Sequence, residues 1–309
     1  MKKIFISILI IISGYVATGQ QLPQFTQYMI NDYVFNPAIA GVESGYQVKS
    51  NIRNQWVGIN DAPRTTVLSV YGKHRNSNVG LGGVVFSDRV GHTSRNGLSL
   101  SYAYHFSLSD AMKMSLALSG GFLQIKIDPS LINFEDVQDP LMTNGILNST
   151  VPDATFAFNL YTKNWFIGAS IPQLLNSKMG FFEEDFLEVY NLDPDGSLER
   201  HYFIMAGYKW IINQDYLVEP LLLVKSVEGV SPVVDIGMRT IYQNKLWLGI
   251  NYRHKGANSG SDIGMLLGYS IGDRYIIGYS YDFGSLGEIA AGSHEFMLGI
   301  KFIPTAENK

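Results

Sequence analysis

The 309-residue chain contains no cysteine. That excludes a disulfide framework, a thiolate metal site and a cysteine that could carry a lipid at a processing point. Charge is scarce as well: Asp, Glu, Lys and Arg make up 16% of the residues and sum to −4, without the basic surface a nucleic-acid partner calls for. After the first dozen residues no apolar run approaches the ~18 residues that a membrane-crossing helix needs. In place of long runs there is alternation. Leu98, Leu100, Tyr102, Tyr104 and Phe106 take turns with Ser99, Ser101, Ala103 and His105, so one face of that segment is apolar and the other small or polar. The pattern recurs in segments of about ten residues from residue 46 almost to the end, which is how a transmembrane β-barrel reads.

Lys2 and Lys3 precede the apolar run Ile4 to Ile12, and Ala17-Thr18-Gly19 supplies small residues for cleavage. Residues 1–19 therefore read as a secretory signal peptide, with the mature chain starting at Gln20 or Gln21. A mean hydropathy of +0.05 fits a chain in which only every second residue faces lipid. The expected organisation is a signal peptide (1–19), an N-terminal periplasmic or plug segment (20–45), an outer-membrane barrel (46–303) and a short tail (304–309).

Alternation places strands near 46–56, 65–71, 79–87, 97–106, 112–127, 154–161, 165–171, 202–210, 216–225, 233–242, 246–253, 263–271, 275–282 and 294–302. The fold class is thus all-β, an antiparallel up-and-down barrel of about fourteen strands. The even-numbered connections are short, as in Thr162-Lys163 and Gly272-Asp273, whereas the odd-numbered ones include residues 128–153 and 172–201. Short turns on the periplasmic side and long loops outside are the polarity of an outer-membrane barrel. Trp56, Trp165, Tyr202 and Trp210 near strand ends suit interfacial aromatic girdles. At Gly120-Gly121 the apolar residues change phase, Leu116, Leu118 and Phe122 against Leu123, Ile125 and Ile127, and a β-bulge is expected there.

A set of motifs then carries a resemblance: Gln27-Tyr28-Met29, Asn36-Pro37-Ala38-Ile39-Ala40-Gly41, Arg53-Asn54-Gln55-Trp56-Val57-Gly58 followed by Ala62-Pro63-Arg64-Thr65, and the closing Tyr279-Ser280-Tyr281-Asp282 with Gly292-Ser293-His294-Glu295. Ser170 to Asn176, and Glu219-Pro220 before Leu223-Val224-Lys225, also fit. In this order the chain resembles the PorP/SprF family of outer-membrane proteins of the type IX secretion system of Bacteroidota. The resemblance implies a non-enzymatic barrel that works with other components of that machine, a periplasmic peptidoglycan-binding protein among the candidates. It implies delivery or retention at the cell surface of secreted proteins with a C-terminal sorting domain, such as gliding adhesins. A general porin or small-solute channel is the alternative that the barrel class alone supports.

Within the motifs, Asn36 before Pro37 is held out of the helical region and Gly41 suits a positive φ. Residues 20–45 show no strand alternation, and so form either a disordered lead or a plug. The plug is favoured, because ~8 strands already fill their lumen with side chains and a wider barrel needs something more. Inward charges are expected at Lys49, Arg53, Glu219, Lys225, Asp235, Arg239, Arg253, Asp282, Glu295 and Lys301. Their mixed signs favour a wall network over a ligand-binding ring. His294 and Glu295 are neighbours on a strand, point to opposite faces and share no site. No nucleophile set, phosphate loop or zinc spacing appears, so neither an enzyme nor a cofactor or metal is expected.

The long loops supply the candidate partner surface. Residues 128–153 carry five acids and no Lys or Arg. Residues 172–200 mix acids such as Asp193 with Phe181, Phe182, Phe186, Leu187 and Tyr190. An acidic mouth can steer a basic partner or coordinate calcium. Interleaved aromatics point to docking, and Phe181, Phe182, Phe186, Tyr190 and Asp193 are the expected contacts.

Overall fold

In a barrel every strand is paired on both sides, and the alternating pattern then needs only register to decide which residues meet lipid. The computed structural model describes residues 23–129, 145–181, 196–256, 260–284 and 291–302. After three single-turn 3-10 segments, Gln27–Met29, Asp32–Val34 and Pro37–Ile39, the strands follow in order. They are β1 Tyr46–Asn54, β2 Arg64–Lys73, β3 Val79–Val90, β4 Thr93–Ser107, β5 Lys113–Ile127, β6 Leu147–Tyr161, β7 Trp165–Ile171, β8 His201–Tyr208, β9 Trp210–Ile211 and β10 Tyr216–Val227. The last five are β11 Val230–Tyr242, β12 Leu246–His254, β13 Ser261–Ile271, β14 Tyr275–Phe283 and β15 Ser293–Phe302. Each pairs antiparallel with its sequence neighbour, and β1 pairs with β15 to close the ring. β8 and β9 both lie against β10 and are one stave interrupted at Lys209, so the barrel has fourteen staves. Each of the fourteen expected strands has its counterpart among them.

The interruption has a cause in β10. Pro220 has no N–H to give and stands between Leu221, paired to β8, and Val218, paired to β9. Pro152 is accommodated in the same way. The upper half of β6 pairs only with β5, since β7 begins to pair at Phe156, and an unpaired edge tolerates a proline.

The six connections at the end where β1 starts and β15 finishes are five residues or fewer, whereas residues 128–146 and 172–200 connect strands at the other end. Two connections at that upper end are also tight, Gly91-His92 and Glu228-Gly229. The outward face carries the apolar phase, as the exposures of Leu100 (64%) and Leu118 (60%) beside buried Ser101 and Ala117 show. Tyr208, Trp210, Tyr216, Tyr242, Tyr269 and Tyr275 form an outward aromatic belt at the lower end. Tyr202 faces outward at the upper end and Trp165 is half-buried at the lower one, while Trp56 lies in the β1–β2 loop with a φ of 51°.

Two strand-level expectations need correction. Residues 147–153 belong to β6 and not to the loop, because Leu147, Ser149 and Val151 point inward opposite Ile127, Ile125 and Leu123. No bulge occurs at Gly120-Gly121, and the register of β5 with both β4 and β6 is unbroken there. The alternation had not changed phase. Odd residues of β5 point inward throughout, small at Ser115, Ala117 and Ser119, then large at Leu123 and Ile125, which pack with Val151, Met179 and Leu198.

Candidate functional site

Residues 23–45 run through the lumen from the upper end downward. Gly45 precedes β1 at the lower rim, and the chain traced backwards passes Ala40 beside His105, Asn36 beside β6 and Thr26 beside Asp282, until Gln24 meets Lys225 near the upper end. The local conformations follow from sequence. Asn36, extended at φ −142°, accepts a hydrogen bond from Ala38 N (3.0 Å) and lets Pro37 start a 3-10 turn, and Gly41 leaves that turn at φ 88°. Phe25, Tyr28, Met29, Ile30 and Phe35 are buried against Val67, Phe203, Met205, Leu221, Leu223 and Met297 of the wall. Tyr33 stacks on Tyr71 with ring centroids 4.3 Å apart and shares a 2.5 Å hydrogen bond with Ser101 Oγ.

The wall is shaped to receive this segment. A Cβ on Gly80 would lie 1.8 Å from Ala40 O, and one on Gly237 would lie 1.8 Å from Met29 Cε. These inward glycines are sockets, and composition alone gave no sign of them.

Above the sockets the inward charges join into one chain. Arg53 Nη2 lies 2.6 Å from Asp282 and its Nη1 3.4 Å from Glu295. Arg253 Nε is 2.6 Å from Asp235, with Nη1 4.0 Å from Asp282, and Lys225 Nζ is 2.9 Å from Asp235. Three cations thus alternate with three carboxylates, all buried. The N-terminal segment completes their coordination. Thr26 donates through its backbone N–H to Glu295 (2.7 Å) and through its hydroxyl to Asp282 (2.7 Å). Arg253 donates to Phe25 O (2.8 Å), Lys225 to Gln24 Oε1 (2.8 Å) and Tyr28 to Asn251 (3.1 Å). Lys49 stands apart from this chain, donating to Ile30 O (2.5 Å) and Tyr71 OH (2.7 Å). Arg239 pairs with Glu219 nearer the lower end, and Lys301 with Glu43 (2.8 Å) at the rim. Burial is repaid only when each ion is paired and hydrogen-bonded. With balanced signs, the network's chemistry is to hold the segment.

The lumen is not filled solid. A cavity of about 310 Å³ at the lower end is lined by Asp32, Glu43, Lys49, Glu219, Arg239 and Lys301 among others. Burial acts to raise the Glu43 carboxyl, but its hydrogen bond and the charges of Lys301 and Lys49 hold it below the usual range.

His294 and Glu295 do point to opposite faces: His294 meets Tyr279 on the outside (2.8 Å) and Glu295 lies in the network. Among the described residues no group of His, Asp or Glu is arranged to hold a metal. Of the expected docking residues, Phe181 packs beside Met179 and Leu198 on the upper inner wall. Phe182, Phe186, Tyr190 and Asp193 lie outside the described residues, as does the signal peptide.

Two neighbouring substitutions test the register. Leu100→Arg places a charge in lipid and should cost about 2–4 kcal/mol of stability at mid-membrane. The sequence pattern by itself suggests that the same change at Ser101, on the polar face, is milder; the structure corrects this, because Ser101 is buried against Tyr33. Ser101→Arg should displace the segment and disturb the barrel at least as much. Ser101→Ala should lose only about 1 kcal/mol. Urea unfolding in lipid vesicles measures all three, and a mild Ser101→Arg would put Tyr33 elsewhere.

No curated protein matches the chain. Among solved structures, the CymD monoaromatic hydrocarbon channel is similar at a TM-score of 0.52 and 11% identity, covering 94% of this chain and 96% of that one. A Pseudomonas aeruginosa FadL homologue (TM-score 0.49, 9% identity, 92% and 95% covered) and the Acinetobacter baumannii outer membrane protein Omp33 (0.49, 9%, 85% and 100%) are also similar. At such identities the likeness concerns the fold, an outer-membrane barrel. The family described as type IX secretion system membrane protein PorP/SprF matches residues 17–300. A closed fourteen-stave barrel in the outer membrane, with that match over nearly its whole length, belongs to the PorP/SprF family of type IX secretion system membrane proteins.

Proposed function

We propose that this protein is a closed outer-membrane barrel that receives a secreted protein through its C-terminal sorting domain and holds it at the cell surface. The observation that carries this reading over a solute channel is the occupied lumen: residues 23–45 run through it, and the buried ions of its upper half are neutralised against one another and against that segment. A passive channel needs a continuous wet path with groups left free to meet solute. Membership of the family supports cargo handling, and adhesins of the gliding type are the fitting cargo.

The docking surface on this reading is the 172–200 loop, whose Phe182, Phe186 and Tyr190 supply aromatic anchors while Asp193 and its neighbours steer. Its base is fixed, since Met179 and Leu198 pack on Leu123, Ile125 and Val151. Other components of the machine, a periplasmic peptidoglycan-binding protein among them, would meet the lower end and its cavity.

Excising residues 183–195 tests the docking role without touching the base. The barrel should remain folded and heat-modifiable in the membrane while cargo appears in the medium, read by immunoblot of cells and supernatant. Cargo retained on cells with the barrel intact would move the contact to the lumen or the periplasmic face.

A further inference from the structure

We infer that the outer wall of β2–β5 carries a binding site for the phosphate groups of a phosphorylated glycolipid of the outer leaflet. Register defines the site. Arg64 stands directly opposite Arg89, Arg89 opposite Ser94, and Ser94 opposite Lys126, so these four residues form one row across four adjacent strands. Arg64, Arg89 and Lys126 are exposed on the outward face, while the inward neighbour of Arg89 is Asp88, which accepts a hydrogen bond from Thr65 (2.6 Å). Like charges directly opposite one another destabilise a sheet unless something neutralises them. Among the described residues none of the three cations forms an ion pair.

The rows beneath locate the site relative to the bilayer. Two residues down lie Thr66, Ser87, Asn96 and Gln124, all polar. Two further down lie Leu68, Val85, Leu98 and Phe122, all exposed and apolar, the top of the lipid-facing band. Four residues of strand rise about 13 Å, or roughly 10 Å along the bilayer normal at the tilt of such barrels. Long Arg and Lys side chains at that height reach the layer where lipid phosphates lie, and guanidinium groups hold phosphate bidentately. The row is one-sided. Along the same row the outward residues beyond Arg64 are Asn54, His294 and Tyr281, and beyond Lys126 comes Asn148, with no Lys or Arg among them. A cationic row confined to one sector, seated above apolar wall, matches the headgroup of one lipid and not a general surface charge. The lipid chains would lie on Leu68, Val85, Leu98 and Phe122.

The full-length protein, purified and placed in phosphatidylcholine nanodiscs doped with lipid A, gives the test by native mass spectrometry. The wild type should retain bis-phosphorylated lipid A about tenfold or more over the dephosphorylated form, and the Arg64→Gln, Arg89→Gln, Lys126→Gln variant should lose that preference. The Lys163→Gln, Lys209→Gln variant, changed at the opposite end, should keep it. Should the triple variant fail to give the heat-modifiable barrel, Arg89→Gln alone should lower retention several-fold. Equal retention of the two lipid forms, wild-type retention by the triple variant, or full displacement by millimolar inorganic phosphate, which would make the row a site for the free ion, would each overturn the inference.

Discussion

Deleting residues 23–43, with the region before them and the barrel kept, should turn a silent barrel into a conducting one. The wild-type lumen is occupied by Phe25, Tyr28, Met29, Ile30, Tyr33 and Phe35, all buried, most of them packed against the wall. Their removal leaves Arg53, Arg253, Lys225, Asp235, Asp282 and Glu295 around a water-filled path, a lining of the kind that conducts ions. The barrel itself should persist, since its backbone hydrogen bonds run between staves and close the ring without the segment. Destabilisation is still expected, because Leu223, Met205 and Met297 would face water. Burying side chains of this kind contributes about 1.5–3 kcal/mol each. Planar-bilayer recordings and antibiotic uptake measure the opening. A deleted barrel that stays silent while folded would show that the segment is not what closes it.

Arg53→Ala should have the second large effect. Arg53 is the cation between Asp282 and Glu295, both buried, and its loss leaves them facing each other with Thr26, Gln27 and Asn51 as the remaining donors among the described residues and Arg253 4.0 Å from Asp282. Removing one member of such a buried cluster costs about 3–5 kcal/mol, whereas a pair screened by lumen water would be worth less than about 1 kcal/mol. Urea unfolding in vesicles separates these values, and protease cleavage within residues 23–45 reports whether the segment has come loose. Arg53→Lys should recover part of the stability but not the two-carboxylate geometry. A change below 1 kcal/mol with the segment still protected would mean that apolar packing alone holds it.

The strands were legible because a barrel imposes one rule on every residue of its wall. Lipid outside and polar lumen inside leave a period of two in the sequence, and that period located all fourteen staves. It also separated His294 from Glu295. Where the wall meets something other than lipid and water the rule is weaker. Leu123 and Ile125 are apolar yet point inward, because residues 179 and 198 fold over the upper lumen and pack on them, and that reversal looks like a bulge in the sequence. Residues 147–153 carry polar and proline signals of a loop, and only pairing with β5 makes them strand.

What period two cannot encode is the content of the lumen. Residues 23–45 have no repeating pattern, since they make three short turns against a curved wall, and each contact joins residues far apart in the chain: Thr26 with Asp282, Asn36 with Phe158, Ala40 with His105. Sequence by itself determined the barrel and its polarity, because these depend on the local alternation of each strand against two solvents. Tertiary structure alone decided which charges pair, which glycines serve as sockets and that Arg64, Arg89 and Lys126 share one row, because inter-strand register and the path of a non-repeating segment are set by the closure of the whole ring.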